Sequence, residues 1–222
     1  MTLKPPRRSQ AQRREESRAR ILDAAMQLVI ENGFDRFSLQ DIGKKASCSH
    51  ELVNFYFGNK DGLLNALATH IIGTISNELQ SLDSNLSGFE NFARQIHYIA
   101  TVADRGGATF TAYMRIAGDA AFREPVAQLF RDRRSQTVGI FRASILAGQA
   151  SGDIRRGVDA DQIAEVAYDF VRGHVDRQVL DRDNISRTNF RFVVEGFIEL
   201  LRAQLVVRKR VPKPTTSPEQ DE

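Results

Sequence analysis

The chain of 222 residues is 41% apolar and 27% charged, with six prolines and no tryptophan, which suits one or two globular domains with a sizeable core. No apolar run approaches the roughly 20 residues that cross a bilayer, the basic N-terminus lacks a secretory apolar segment, and a single cysteine, Cys48, excludes an internal disulfide framework, so a cytoplasmic protein is expected. The net charge of +3 lies wholly in residues 1–62, with eleven Lys/Arg against eight Asp/Glu, while residues 63–222 carry twenty of each.

In chain order, Lys4, Arg7, Arg8, Arg13, Arg14, Arg18 and Arg20 face only Glu15 and Glu16. Residues 1–14 therefore read as a basic disordered arm: a footprint for phosphate beside a helical module, or simply a solvated tail. Ile21, Leu22, Ala25, Leu28 and Val29 recur at three- and four-residue spacing and predict a helix over about 17–32, closed by Gly33. Ser38 and Asp41 form a capping box that opens a second helix to about Ala46. Ser49 caps a third, from His50 to about Phe55, and Asn59 a fourth that runs to about Leu82. Helices follow at about 89–104, 109–120, 124–149, 160–180 and 186–207. A Pro-rich polar tail at 209–222 is expected to be disordered. Strand alternation is absent, so the fold class is all-α.

The second and third helices are too short to bury a core alone, and three polar or small residues, Ser47-Cys48-Ser49, join them. That is the helix-turn-helix, whose second helix lies in the major groove of DNA and whose third wall is the first helix. Leu39, Ile42, Ala46, Cys48, Leu52 and Val53 supply the apolar faces. Gln40, Lys44, Ser49, His50, Glu51 and Asn54 are left pointing outward. Of the aromatic triplet Phe55-Tyr56-Phe57, Phe57 is expected inward and Tyr56 is free to offer its hydroxyl to phosphate.

Residues 17–64 resemble the TetR family of one-component transcriptional regulators. The resemblance rests on Arg20 to Ala25, Glu31-Asn32-Gly33-Phe34, Ser38 to Ile42, Ala46 to Ser49 and Val53 to Leu63. It implies an N-terminal three-helix DNA-binding domain over 15–75, with the motif at 38–57, and a helical ligand-binding and dimerisation domain over 76–208. It implies a repressor relieved by a small apolar or amphipathic ligand, on a pseudo-palindromic double-stranded operator. His50, Glu51 and Asn54 would read bases; Ser38, Lys44, Tyr56 and Lys60 would hold phosphates. Where the family has Gly-Val-Ser this chain has Ser47-Cys48-Ser49, so Ser47 must accept a turn glycine's backbone angles.

The remainder carries fewer signals. Phe92, Tyr113, Phe141, Phe170 and His174 are the candidates to line an apolar ligand cavity, the alternative being ordinary packing. The helices at about 160–180 and 186–207 are apolar on more than one side, through Phe170, Val171, Val175 and Val179 and through Phe190, Val193, Val194, Phe197, Leu200 and Leu201. A homodimer is expected there, with Gly173 and Gly196 allowing close approach. The four histidines lack metal-ligand spacing, and no nucleophile–base pair or cofactor motif stands out, so neither metal, cofactor nor enzymatic activity is expected. A ligand-independent architectural DNA-binding protein and, behind it, a helical enzyme remain the alternatives. Cys48 reads as a small buried hydrophobe, with a redox role the other reading.

Overall fold

Local caps settle the first half of the chain in the computed structural model, which describes residues 9–80, 82, 86, 88–101, 107–120, 124–180 and 187–207. Helix α1 runs Gln10–Asn32 and is followed by a 3-10 turn at Phe34–Arg36. Helices α2 (Leu39–Lys45), α3 (His50–Phe57) and α4 (Lys60–Gln80) come next. The second half holds α5 (Gly88–Ala100), α6 (Gly107–Ala120), α7 (Val126–Ser151), α8 (Ala160–Leu180) and α9 (Arg187–Leu205). The fold is all-α, an N-terminal helix-turn-helix domain followed by a helical domain. Its one β feature among the described residues is an antiparallel bridge between Ile154 and Val206.

Two expectations from the sequence are corrected. The first helix starts at Gln10, not near Ser17, so residues 10–14 are helical instead of part of a disordered arm. Ser9 and Gln12 form a reciprocal cap: the Gln12 N–H donates to Ser9 Oγ at 3.2 Å and the Ser9 N–H to Gln12 Oε1 at 2.9 Å. The third helix runs on through the aromatic triplet to Phe57, so those rings are its last turn. Residues 1–8 of the basic arm, the tail at 209–222, and the side chains of Val179 and Phe190 lie outside the described residues.

Two cores divide the apolar side chains. The first gathers Ile21, Leu22, Ala25 and Val29 of α1 with Ile42, Val53, Leu63 and Leu67, and extends to Ala112, Ile116 and Val126 of α6 and α7. The second joins Phe89, Phe92 and Ile96 of α5 to Phe141, Ile145, Val171, Val175 and Leu201. Because α4 is continuous and α6 lies along α1, the two halves share walls; they are not joined by a linker. Helices α5 and α7 cross backbone to backbone, since a Cβ on Gly88 would lie 2.1 Å from Gly148 Cα. The loop after α7 then caps α5, with the Phe89 N–H donating to Asp153 Oδ2 at 2.9 Å. Helix α9 rests chiefly on α5, held by the Arg202–Glu90 ion pair, and meets α8 through a Phe170–Phe197 ring stack at 3.7 Å.

Candidate nucleic-acid interface and ligand cavity

The helix-turn-helix is built by caps that point its polar residues one way. Ser38 caps α2: its hydroxyl donates to Asp41 Oδ2 at 2.7 Å, and the Asp41 N–H donates back to Ser38 Oγ at 3.2 Å. These bonds to Ser38 hold the Asp41 carboxyl below its ordinary range. Ser49 caps α3, accepting from the Leu52 N–H at 3.2 Å. Asn59 caps α4, accepting from the Gly62 N–H at 2.8 Å. Gly43 sets the distance between the paired helices, because a Cβ there would meet the Cys48 carbonyl at 2.9 Å. Composition hid that residue; its place one turn after Leu39, facing the turn, was the available signal.

Ser47 sits at φ +53°, the left-handed region that the missing glycine would occupy freely. Replacing Ser47 with glycine is expected to raise the unfolding free energy by about 0.5–1 kcal/mol, because relief of the left-handed strain outweighs the added backbone entropy. Thermal unfolding followed by circular dichroism measures this; a midpoint that stays put or falls would remove the strain. Cys48 is half-buried against the first core, as a small hydrophobe would be.

The outward face is then clear. Gln40, Lys44, Ser49, His50 and Glu51 are exposed, and Asn54 is half-exposed with its amide 3.4 Å from His50 Nε2. The backbone and Ser49 hydrogen bonds at the start of α3 hold the Glu51 carboxyl below its ordinary range, so it is an ionised acceptor suited to a cytosine amino group. Lys44 has no capping duty, whereas its neighbour Lys45 is tied to Glu31 at 2.7 Å. Tyr56 and Phe57 are both half-buried against the first core, and Phe55 is the outlier at 72% exposed. Lys60 has a packing contact that the sequence did not suggest: its ammonium lies 4.8 Å from the ring centroids of Phe34 and of Phe37. That contact fastens the start of α4 to the core, so the residue packs as well as carries charge. Ser38 likewise spends its hydroxyl on Asp41.

A cavity of about 50 Å³ lies between α4, α5, α6, α7 and α8. Ile75, Ile99, Phe110, Val171 and Val175 make its apolar walls; Tyr113, Arg133, Thr137, Tyr168 and Arg172 supply the polar ones. A more open cleft of about 410 Å³ adjoins it and shares Tyr113, Tyr168 and Arg172. Of the five aromatic and histidine candidates from the sequence, Tyr113 lines these spaces. Phe92 and Phe141 do not: both are wholly buried in the second core, edge to face at 5.4 Å. Phe170 stacks on Phe197 instead, and His174 is buried with its Nε2 3.2 Å from the Gln178 amide. Arg133, Tyr168 and Arg172 were missed. Arg133 had a legible signal, falling in step with the buried stripe Val126, Thr137, Phe141, Ser144 and Gly148.

The cavity is not remote from the DNA-binding half. The Tyr113 ring packs on Phe130 at 5.1 Å, and both rest against the first core. Ile75 belongs to α4, which follows directly on α3. Among the described residues no group of three or more His, Cys, Asp or Glu is placed to hold a metal ion, and no helix is long and apolar enough to cross a membrane.

Comparison with known proteins places this arrangement. The profile of "Bacterial regulatory proteins, tetR family" matches residues 21–67. The HTH-type transcriptional regulator BetI of Paraburkholderia phytofirmans is 37% identical over 59 residues, which is 27% of this chain and 30% of that protein. BetI of Burkholderia thailandensis matches to the same extent. The chain thus spans under a third of the curated relatives it matches. Solved structures align over far more of it at lower identity. A TetR transcription regulator from Haloarcula marismortui has a TM-score of 0.75 at 17% identity, covering 86% of this chain and 99% of that one. A Saccharomonospora viridis protein in complex with choline gives 0.74 at 18%, covering 87% and 100%. The regulator FadR of Bacillus subtilis, in complex with stearoyl-CoA, gives 0.64 at 18%, covering 83% and 97%. At such identities the likeness is one of fold.

Proposed function

We propose that the chain is a TetR-family transcriptional regulator, a reading supported by the match over residues 21–67, and that it is a cytoplasmic repressor whose operator binding is relieved by a small molecule in the α4–α8 cavity. The observation that carries the reading is the free outward face of α3, with Ser49, His50, Glu51 and Asn54 on one side and Val53 sunk in the core on the other. His50, Glu51 and Asn54 read bases; Lys44 and the Tyr56 hydroxyl contact phosphates, with Ser38, Gln40 and Lys60 at the flanks. Choline and stearoyl-CoA, bound by two structural neighbours, differ too much in charge and size for either to be carried over. What they support is the binding of some small molecule, for which the cavity is the site on this chain.

Two helices offer the coupling. Helix α4 bears Ile75 at the cavity and begins where α3 ends; α6 bears Tyr113 at the cavity and packs along α1. A ligand that prefers a state with the α3 helices misplaced by about 3 kcal/mol lowers operator affinity roughly a hundredfold. The operator is met by a homodimer through α8 and α9, whose apolar residues Val166, Phe192, Val193 and Leu200 are left exposed by the described residues. Among the described residues a Cβ on Gly173 or Gly196 would meet nothing within 4 Å, which leaves room for a partner helix to approach closely there.

Selection of tight-binding duplexes from a random pool tests the reading, with a pseudo-palindrome as the expected product. Lys44→Ala should then weaken every sequence alike and reduce the slope of log affinity against log salt by about one, whereas Asn54→Ala should cost about 1–3 kcal/mol at one base position and relax preference there. Enrichment of no sequence, or an Asn54→Ala variant with unchanged preference, would defeat it.

A further inference from the structure

Arg133 stands apart from the other arginines around the cavity. The residue is only 6% exposed, and among the described residues its buried Nη1 has no hydrogen-bond partner and no carboxylate pairs with it. The others are matched. Arg131 pairs with Glu124 at 2.7 Å, Arg134 with Glu165 at 2.5 Å, and Arg172 with Asp176 at 3.2 Å. A guanidinium stays charged even where burial lowers its proton affinity, and burial does so here. A buried charge left uncompensated is costly, so a site that keeps one is suited to an anion that arrives from outside.

We propose that the cavity selects a small amphipathic carboxylate, its negative head on Arg133 and its apolar body against Ile75, Ile99 and Phe110; this rests on the ligand-relieved reading above and deepens it. A planar carboxylate matches the guanidinium fork. Space of about 50 Å³ beside Arg133 is room for roughly three or four waters, which is the size of a carboxylate with its neighbouring carbons. The body of a longer ligand continues into the adjoining cleft past Tyr113 and Tyr168. Burial raises the Tyr168 hydroxyl above its ordinary range, so it remains a neutral donor. Tyr113 accepts from Arg172 Nη1 at 3.5 Å and keeps its own proton to donate. A phosphate dianion would need a second unmatched cation, and Arg134 and Arg172 already hold carboxylates. A quaternary ammonium would meet Arg133 and Arg172 head on.

Calorimetric titration of the full chain without DNA tests this. Hexanoate, decanoate and phenylacetate are each compared with the matching primary amide, and with an alkyl trimethylammonium of similar length. At least one carboxylate should bind at least about tenfold more tightly than its amide, a charge-assisted bidentate pair being worth that much. The ammonium should not bind. Arg133→Met should abolish the preference while its thermal midpoint, without ligand, holds or rises; Arg133→Lys should retain a weakened preference. Equal binding of acid and amide, preferential binding of the ammonium, no binding by any carboxylate, or a preference that survives Arg133→Met would each overturn the proposal. Release of duplex DNA is measured separately: a carboxylate that binds through Arg133 without releasing DNA leaves the anion site standing and defeats the regulatory reading instead.

Discussion

Phe141→Ala is expected to lower the unfolding free energy by about 3–5 kcal/mol, the usual loss for a phenylalanine emptied from a closed core. Phe141 is wholly buried, meets Phe92 edge to face, and lies where α7 packs on α5 and α8. None of these walls can collapse into the void, because the Gly88–Gly148 approach already brings α5 and α7 to backbone contact. In a chain of this length the thermal midpoint should fall by about 6–20 °C. Phe170, half-buried and stacked on Phe197 near the rim of α8 and α9, should lose less on the same change. Since Phe141 lines neither cavity, ligand affinity should persist in the variant below its midpoint. Calorimetry with and without ligand checks both halves, and a stable variant that no longer binds would return Phe141 to the ligand site.

Placing aspartate at Phe192 and Leu200 together should convert the proposed dimer to monomer and weaken binding to a two-half-site duplex by about a hundredfold or more, since the second half-site contact ceases to be intramolecular. Among the described side chains of α9 these two are the most exposed large apolar residues, at 75% and 68%. They lie two helical turns apart, on a face that the described residues leave uncovered. Their exposure means the change costs the folded monomer little, so lost affinity can be read as lost assembly. Glu195→Ala, one turn from Phe192 and tied to Arg191 at 2.9 Å, serves as the control and should leave sedimentation and DNA binding unaltered. A wild-type chain that sediments as a monomer at micromolar concentration, or a double variant that remains dimeric, would remove the interface from α9.

The sequence by itself determined whatever is decided within a few residues. The Ser38–Asp41 box, the Ser49 and Asn59 caps and the stop at Gly33 are bonds between groups three or four positions apart, and the structure has each of them. The left-handed Ser47 followed from the resemblance, since it stands where the family has a turn glycine. Ser9 and Gln12 obey it too; they were obscured by the charge run around them. Tertiary structure alone decided which aromatic rings face the cavity and which close the core, because that depends on how each helix is rotated against partners far along the chain. Phe141 and Tyr113 are equally aromatic and equally periodic, yet one is sealed between α5, α7 and α8 while the other reaches the gap between α4, α7 and α8. Arg202 finds Glu90 across 112 positions, and Gly88 finds Gly148 across a helix crossing. No window of sequence contains both members of such a pair, and only packing the helices brings them together.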